Sequence, residues 1–161
     1  MRYTIRPLTI DDLKTYRATR LLALQTDKGV FRRPYEVEAA MPESYWIQRL
    51  TNPDGTIFGL FHNTILIGIT AIVIEEAGHG YLTHSYIKPA YRRQGLSLLF
   101  FEKRIAWAKE RGLKRLVVNH RETNIASKAA IQKSGFRFTH AEKADWPDGK
   151  TENLLNYELM I

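Results

Sequence analysis

The sequence predicts an α/β (α+β) domain, a mixed and mostly antiparallel seven-stranded sheet with helices on both faces. Two observations carry that prediction. Thr56 to Ile87 holds three β-prone apolar runs, parted only by His62-Asn63 and by Ala77 to Gly80, the pattern of an antiparallel meander. Gly95 to Asn119 then passes from a long amphipathic helical pattern into another strand, an alternation that implies a parallel crossover. A chain of 161 residues, 44% hydrophobic and 25% charged, has the size and composition of one globular domain spanning 1–161.

The elements follow in order. Met1 to Pro7 alternates and reads as a first strand. Thr9 caps a helix, with Asp12 three residues later completing a capping box, and Leu13, Tyr16, Arg20, Leu21 and Leu24 keep the helical period to about Thr26. Lys28 to Met41 is irregular. Pro42 to Leu50 forms a short helix with proline at a tolerated first-turn position. Asn52-Pro53-Asp54-Gly55 is a turn signal before the strands Thr56 to Phe61, Ile65 to Glu75 and Gly80 to Ile87. Gly95 to Arg111 is a long helix burying Leu98, Leu99, Phe101, Ile105 and Ala108, with Gly112 as its stop. Leu113 to Asn119 is a strand, and Thr123 caps a helix from Asn124 to Lys133. Phe136 to Lys143 and Asn153 to Met160 close the pattern as a hairpin across Trp146-Pro147-Asp148-Gly149.

Composition narrows the function. Cysteine is absent, which removes disulfides, thiolate metal sites and cysteine acyl-enzyme chemistry, and fits a reducing compartment. No run of eighteen apolar residues is present and the first thirteen residues hold no apolar signal core, so a cytoplasmic protein with no membrane partner is expected. The net charge of +7 serves solubility or attracts an anionic ligand. Its basic residues are scattered and no nucleic-acid motif occurs, so nucleic acid is not the expected partner.

The sharpest local signal is Arg92-Arg93-Gln94-Gly95-Leu96-Ser97, between a strand and a helix. Glycine there lets the backbone approach a ligand, the first amides of the helix have no partner inside it, and the helix dipole adds positive potential. Such a loop is either an ordinary helix start or a seat for a diphosphate.

That loop, set after the fourth strand of this element order, resembles the GNAT superfamily of acyl-CoA-dependent N-acyltransferases. The family's loop reads Arg/Gln-x-x-Gly-x-Gly/Ala, and Ile87-Lys88-Pro89 resembles its V-x-P lead-in. Asn124, ahead of Ser127, Ala129 and the pair Gly135-Phe136, resembles a second family element. The resemblance spans nearly the whole chain. Ser97 stands where the family has Gly or Ala, and Ile131 stands where many relatives carry a tyrosine that protonates the departing thiolate.

The resemblance implies acetyl-CoA as acyl donor, no metal, a splay between the parallel fourth and fifth strands, and acetyl transfer to a primary amine by direct attack in a ternary complex. It implies that the amides from Arg93 through Gln94, Gly95 and Leu96 to Ser97 hold the pyrophosphate, with charge from Arg92 and Arg93. Backbone near Tyr86 and Ile87 would pair with the pantetheine arm, with Asn124, Ser127 and Lys128 alongside. For proton handling the chain offers His120, which shares one strand face with Leu116 and Val118, His84 and Tyr157. Each has an equally simple structural reading, as do Glu75, Glu76 and Glu122. The family's acceptor region here contains Phe31, Arg32, Arg33, Tyr35, Tyr45, Trp46 and Trp146, and the two arginines would suit a carboxylate or phosphate. The acceptor is a small-molecule amine or a protein or peptide amine, and the oligomeric state stays open, a homodimer included. A non-catalytic acyl-CoA-binding module on the same fold is the alternative that Ile131 keeps alive.

Overall fold

Seven strands join in the order β1-β2-β3-β4-β5-β7-β6. They are β1 (Tyr3–Pro7), β2 (Gly55–His62), β3 (Ile65–Glu76), β4 (His79–Ile87), β5 (Arg115–Arg121), β6 (Arg137–Asp145) and β7 (Thr151–Met160). The α-helices are α1 (Leu13–Thr26), α2 (Tyr35–Ala39), α3 (Glu43–Thr51), α4 (Leu96–Glu110) and α5 (Ile125–Lys133). The computed structural model describes residues 2–161, so Met1, which the first-strand expectation included, lies outside the described residues. Every neighbouring pair is antiparallel except β4 with β5, which is parallel and joined through α4. The mixed sheet is therefore the one expected.

Strand alternation sends consecutive residues to opposite faces, and the cores record it. Ile72 and Leu82 pack with Phe101 and Ala108 of α4 and Ile131 of α5. Ala71, next to Ile72, and its cross-strand partner Ile57 pack on the other side, with Tyr16 of α1 and Trp46 of α3. In β4 the rule breaks: Leu82 and Tyr86, four apart, fall on opposite faces. The β3–β4 register explains it. Ile69 pairs with Tyr86 and Ala71 with Thr83, so β4 spends one residue more than β3 over this step. That is a β-bulge at His84 and Ser85, and His84 takes φ 66°, a left-handed value uncommon outside glycine.

Several boundaries differ from expectation, and for the following the reason is identifiable. The stretch expected to be irregular contains α2, whose buried residue is Glu38, so hydrophobic periodicity cannot reveal it. β5 begins at Arg115, because Leu113 N–H still caps α4 through Ala108 O and Lys114 N–H donates to Gly78 O. It also runs on to Arg121, since β7 pairs with His120 and Arg121 as well. At the first helix the turn Ile10–Asp12 is 3₁₀ before α1 starts, and the Asp12 carboxylate accepts from Thr9 N–H at 2.8 Å.

Candidate active site

The parallel pairing of β4 with β5 is short. It joins His79, Gly80 and Tyr81 to Arg115, Leu116 and Val117, and then stops. From Leu82 to Ile87 and from Val118 to Arg121 the two strands have no register with each other, although each stays paired on its outer side. A hydrogen bond from Tyr81 Oη to Asn119 Oδ1 at 3.3 Å marks the closed end. Beyond it one edge of β4 faces a gap in the middle of the sheet, and unpaired backbone N–H and C=O groups there seek an extended partner.

The open end of the gap leads to the glycine loop. Arg93 (φ 64°) and Gly95 (φ 74°) are both left-handed, and α4 begins at Leu96. Arg92 N–H bonds Pro89 O at 3.2 Å, and the next N–H that finds a backbone acceptor is Leu98, bonded to Gly95 O at 3.2 Å; those from Arg93 to Ser97 have none among the described residues. Five uncommitted donors stand at the positive end of a fifteen-residue helix, an arrangement able to hold an anion. The two arginines divide the work differently from each other. Arg92 is committed, donating to Ile87 O and Asp27 Oδ2, each at 2.7 Å, and lying over the Tyr86 ring. Arg93 is exposed, and Gln94 is tied to β1 by the Tyr3 hydroxyl at 2.8 Å.

A family model, the Acetyltransferase (GNAT) family, matches residues 19–136. The chain belongs to that family. No curated protein sequence matches it. Among solved structures it is similar to an acetyltransferase of the GNAT family from Streptococcus pneumoniae, at 21% identity and TM-score 0.83, over 99% of this chain and 100% of that one. It is also similar to a ribosomal-protein-alanine N-acetyltransferase from Brucella melitensis, at 17% identity and TM-score 0.81, over 98% and 99% of the two chains. A third is a ribosomal L7/L12 α-N-protein acetyltransferase in complex with coenzyme A, at 14% identity and TM-score 0.81, over 99% and 94%.

In this acetyltransferase two of the candidate proton carriers meet on the α4–α5 face. His120 Nδ1 lies 2.6 Å from Arg121 O, and a carbonyl only accepts, so Nδ1 carries the proton. Nε2 is then the acceptor for the Tyr157 hydroxyl at 3.0 Å. Both side chains are buried, and the rings stack at 5.3 Å. Desolvation lowers the His120 pKa against the opposing hydrogen bond from its own strand, and raises that of Tyr157. Ile131 is fully buried in the same core cluster as Tyr157. On α5 next to them, Asn124 Oδ1 accepts from Ser127 N–H at 3.2 Å and so caps the helix, while Lys128 is near enough to His120 to oppose its protonation.

His84 stands apart from that pair. Its side chain lines a cavity of about 230 Å³ with Arg49, Asn52, Thr56, Ile57 and Thr83. A second hollow of about 440 Å³ shares Arg49 and Asn52 and adds Tyr45 and Gln48. Burial first, and then the charges of Arg20, Arg49 and Arg33, hold the His84 pKa well below the ordinary 6.5, so the ring is neutral. Its Nδ1 lies 3.3 Å from the Thr83 hydroxyl. Ser85, beside it in the bulge, is exposed and bonds Thr70 Oγ1 at 2.8 Å.

The aromatic and basic residues expected in the acceptor region separate into two groups. Phe31 lies under the Arg20 guanidinium, Arg33 approaches Glu38, and Tyr45 packs edge-on against Trp46. Arg32 is exposed and Tyr35 begins α2. Trp146 instead packs under Arg121 and donates from Nε1 to Glu152 O. The carboxylates sort themselves too. Glu75 and Glu76 are exposed at the closed end of the gap, and Glu122 accepts from Asn153 N–H.

Sequence reasoning missed four residues here. Arg20, Glu38 and Arg49 form a buried cluster, and Arg121 ties Gly29 O of the α1–α2 connection to Asp148 and Glu152 of the last hairpin. For Arg20 a signal existed: it sits on the apolar stripe of α1, where an arginine needs a reason.

Proposed function

We propose that this protein transfers acetyl from acetyl-CoA to the primary amine of an acceptor by direct attack in a ternary complex. The observation that supports this most is the β4–β5 gap that ends at five uncommitted amides. An extended amide-bearing arm fits the gap as a false strand beside Tyr86 and Ile87, and a diphosphate fits the amides from Arg93 to Ser97. Arg92 would shape the loop through Ile87 and Asp27 rather than meet phosphate, and Arg93 would supply charge. Asn124 would border the arm from the helix it caps, with Ser127 and Lys128 one turn on.

The reaction forms a C–N bond, breaks the thioester C–S bond, takes a proton from the amine and returns one to the thiolate. The backbone at the bulge would turn its N–H groups away from the β3 ladder and toward the developing oxyanion. His84 would accept the amine proton, being neutral and set beside the cavity. Tyr157 would supply the thiolate proton that Ile131 cannot, and the lone pair of His120 would hold its hydroxyl in place. The acceptor enters on the α1–α3 face, where His84 lies. A cytoplasmic setting goes with this reading, as does a chain free of cysteine.

The test is release of free CoA from acetyl-CoA with a panel of amines, after a thermal-shift screen with acetyl-CoA, longer acyl-CoAs and CoA. Turnover with at least one amine is the expected result. Stabilisation without turnover across the panel supports the second reading, an acyl-CoA-binding module, which the buried Ile131 favours. No stabilisation by any of the thioesters overturns both.

A further inference from the structure

The cluster beside His84 is short of negative charge. Glu38 is fully buried and receives Arg20 through two bonds, Nε to Oε1 at 3.1 Å and Nη2 to Oε2 at 3.0 Å. Arg49 Nη1 reaches Oε1 at 3.1 Å, and Arg33 stands 3.9 Å from Oε2. One carboxylate thus faces three guanidinium groups: Arg20 is buried, Arg49 partly exposed and Arg33 half exposed. A buried charge is normally balanced, because desolvating an unpaired one is costly.

The unfilled hydrogen bonds lie in the same place. Arg20 Nη1, Tyr45 Oη and Trp46 Nε1 are buried with no partner among the described residues. All three can donate: Tyr45 lines the larger hollow with Arg49, which also lines the His84 cavity, Trp46 packs under Arg49, and Arg20 shares the Glu38 carboxylate with Arg49. Unfilled donors beside three guanidinium groups around one carboxylate describe half of an anion site.

Resting on the acetyltransferase reading above, we propose that the acceptor is a small amine carrying an anionic group, carboxylate or phosphate, and that Arg20, Arg33 and Arg49 hold that group beside His84. The Glu38 carboxylate orients the guanidinium planes, leaving Arg20 Nη1 and the outer faces of Arg33 and Arg49 for the anion. Binding has a second effect. The charged groups that act on His84 are Arg20 from α1, Arg33 from the segment before α2 and Arg49 from α3, the three that share the Glu38 carboxylate of α2. An added anion offsets them, so the acceptor strengthens the base that deprotonates it.

Matched acceptors test this: glycine against glycinamide, and phosphoethanolamine against ethanolamine, each rate corrected for the fraction of neutral amine. The anionic member of at least one pair should show kcat/KM higher by about tenfold or more. Whichever pair responds tells carboxylate from phosphate. Arg33→Gln, which leaves the buried Arg20–Glu38 pair intact, should reduce that preference while the KM for acetyl-CoA stays unchanged. Equal rates within both pairs, or turnover confined to a neutral peptide amine, overturn the proposal and leave the acetyltransferase reading standing.

A binding arm needs no turnover. With CoA present, N-acetylglycine should move the His84 imidazole resonance, assigned by its loss in His84→Gln, and raise its titration midpoint, whereas N-acetylglycinamide should not. If no amine releases CoA, the parent reading fails and this arm alone decides the anion site. Identical responses to these two compounds, and likewise to N-acetyl-phosphoethanolamine and N-acetylethanolamine, overturn it.

Discussion

His84 spends backbone energy to be where it is. A left-handed φ at a residue with a Cβ costs about 1 kcal/mol or more, and the protein keeps it at the bulge beside a cavity. With the ring neutral in the free protein, the acid limb of kcat/KM, corrected for the fraction of neutral amine, should fall below pH 6.5, the ordinary histidine value. His84→Gln keeps a similar size and polarity but cannot carry the amine proton, so kcat should drop by about 100-fold or more with acetyl-CoA binding retained. A variant that keeps full kcat across the pH profile removes His84 from the chemistry. Gly95 allows a matched comparison. Gly95 and Gly112 both adopt left-handed φ, at 74° and 70°, and in neither case would an added Cβ meet any atom within 4 Å. Alanine at either should therefore cost a similar stability, of about 1 kcal/mol. Only Gly95→Ala should weaken acetyl-CoA, by about tenfold, because only there does the methyl group stand among the uncommitted amides. Equal loss of affinity in both variants would mean that the loop does not hold the donor.

At the scale of elements, legibility followed periodicity. The meander of β2, β3 and β4 carries regular apolar patterns and could be read directly. The helix α4 lies where its pattern puts it but buries Phe100 and Arg104 more fully than the expected Leu98, Leu99 and Ile105, and β6 is exposed along nearly its whole length. The glycine loop could be read because it joins β4 to α4. Where the β4–β5 pairing ends depends on twist and on a bulge, and a left-handed histidine has no composition signature. The helix α2 escaped notice because what it buries is Glu38, held by charges from two other elements. Arg121 is a further case: it stacks on Trp146, bonds Asp148 at 2.8 Å and reaches Gly29 O at 2.8 Å, drawing the last hairpin and the α1–α2 connection together. Arg121→Met should loosen that clasp while retaining the packing of its stem. The expected outcome in steady-state kinetics is a raised KM for the acceptor with the KM for acetyl-CoA unchanged. A change confined to acetyl-CoA would place the clasp on the donor side.

Across the whole molecule, two neutral imidazoles on opposite faces of the sheet link stability to pH. The pKa of His84 is lowered chiefly by burial and the nearby arginines, and that of His120 chiefly by burial. In the unfolded chain both take up a proton as the pH falls through about 6.5, whereas the folded protein does so only lower, so folding free energy is lost from that point downward. Urea midpoints measured over this range should fall with acidification, and the decline should flatten in a His84→Gln, His120→Gln double variant. An unchanged slope would show that neither ring is held neutral by the fold. The same sheet, opened between β4 and β5 and ending at α4, carries the claim on which the rest depends. Titration calorimetry with acetyl-CoA and with S-acetyl-pantetheine, which lacks the pyrophosphate, tests it most directly. Saturable one-site binding of acetyl-CoA, with the truncated thioester weaker by about tenfold or more, is the predicted result. Equal affinity for the two, or no binding of acetyl-CoA, would contradict it.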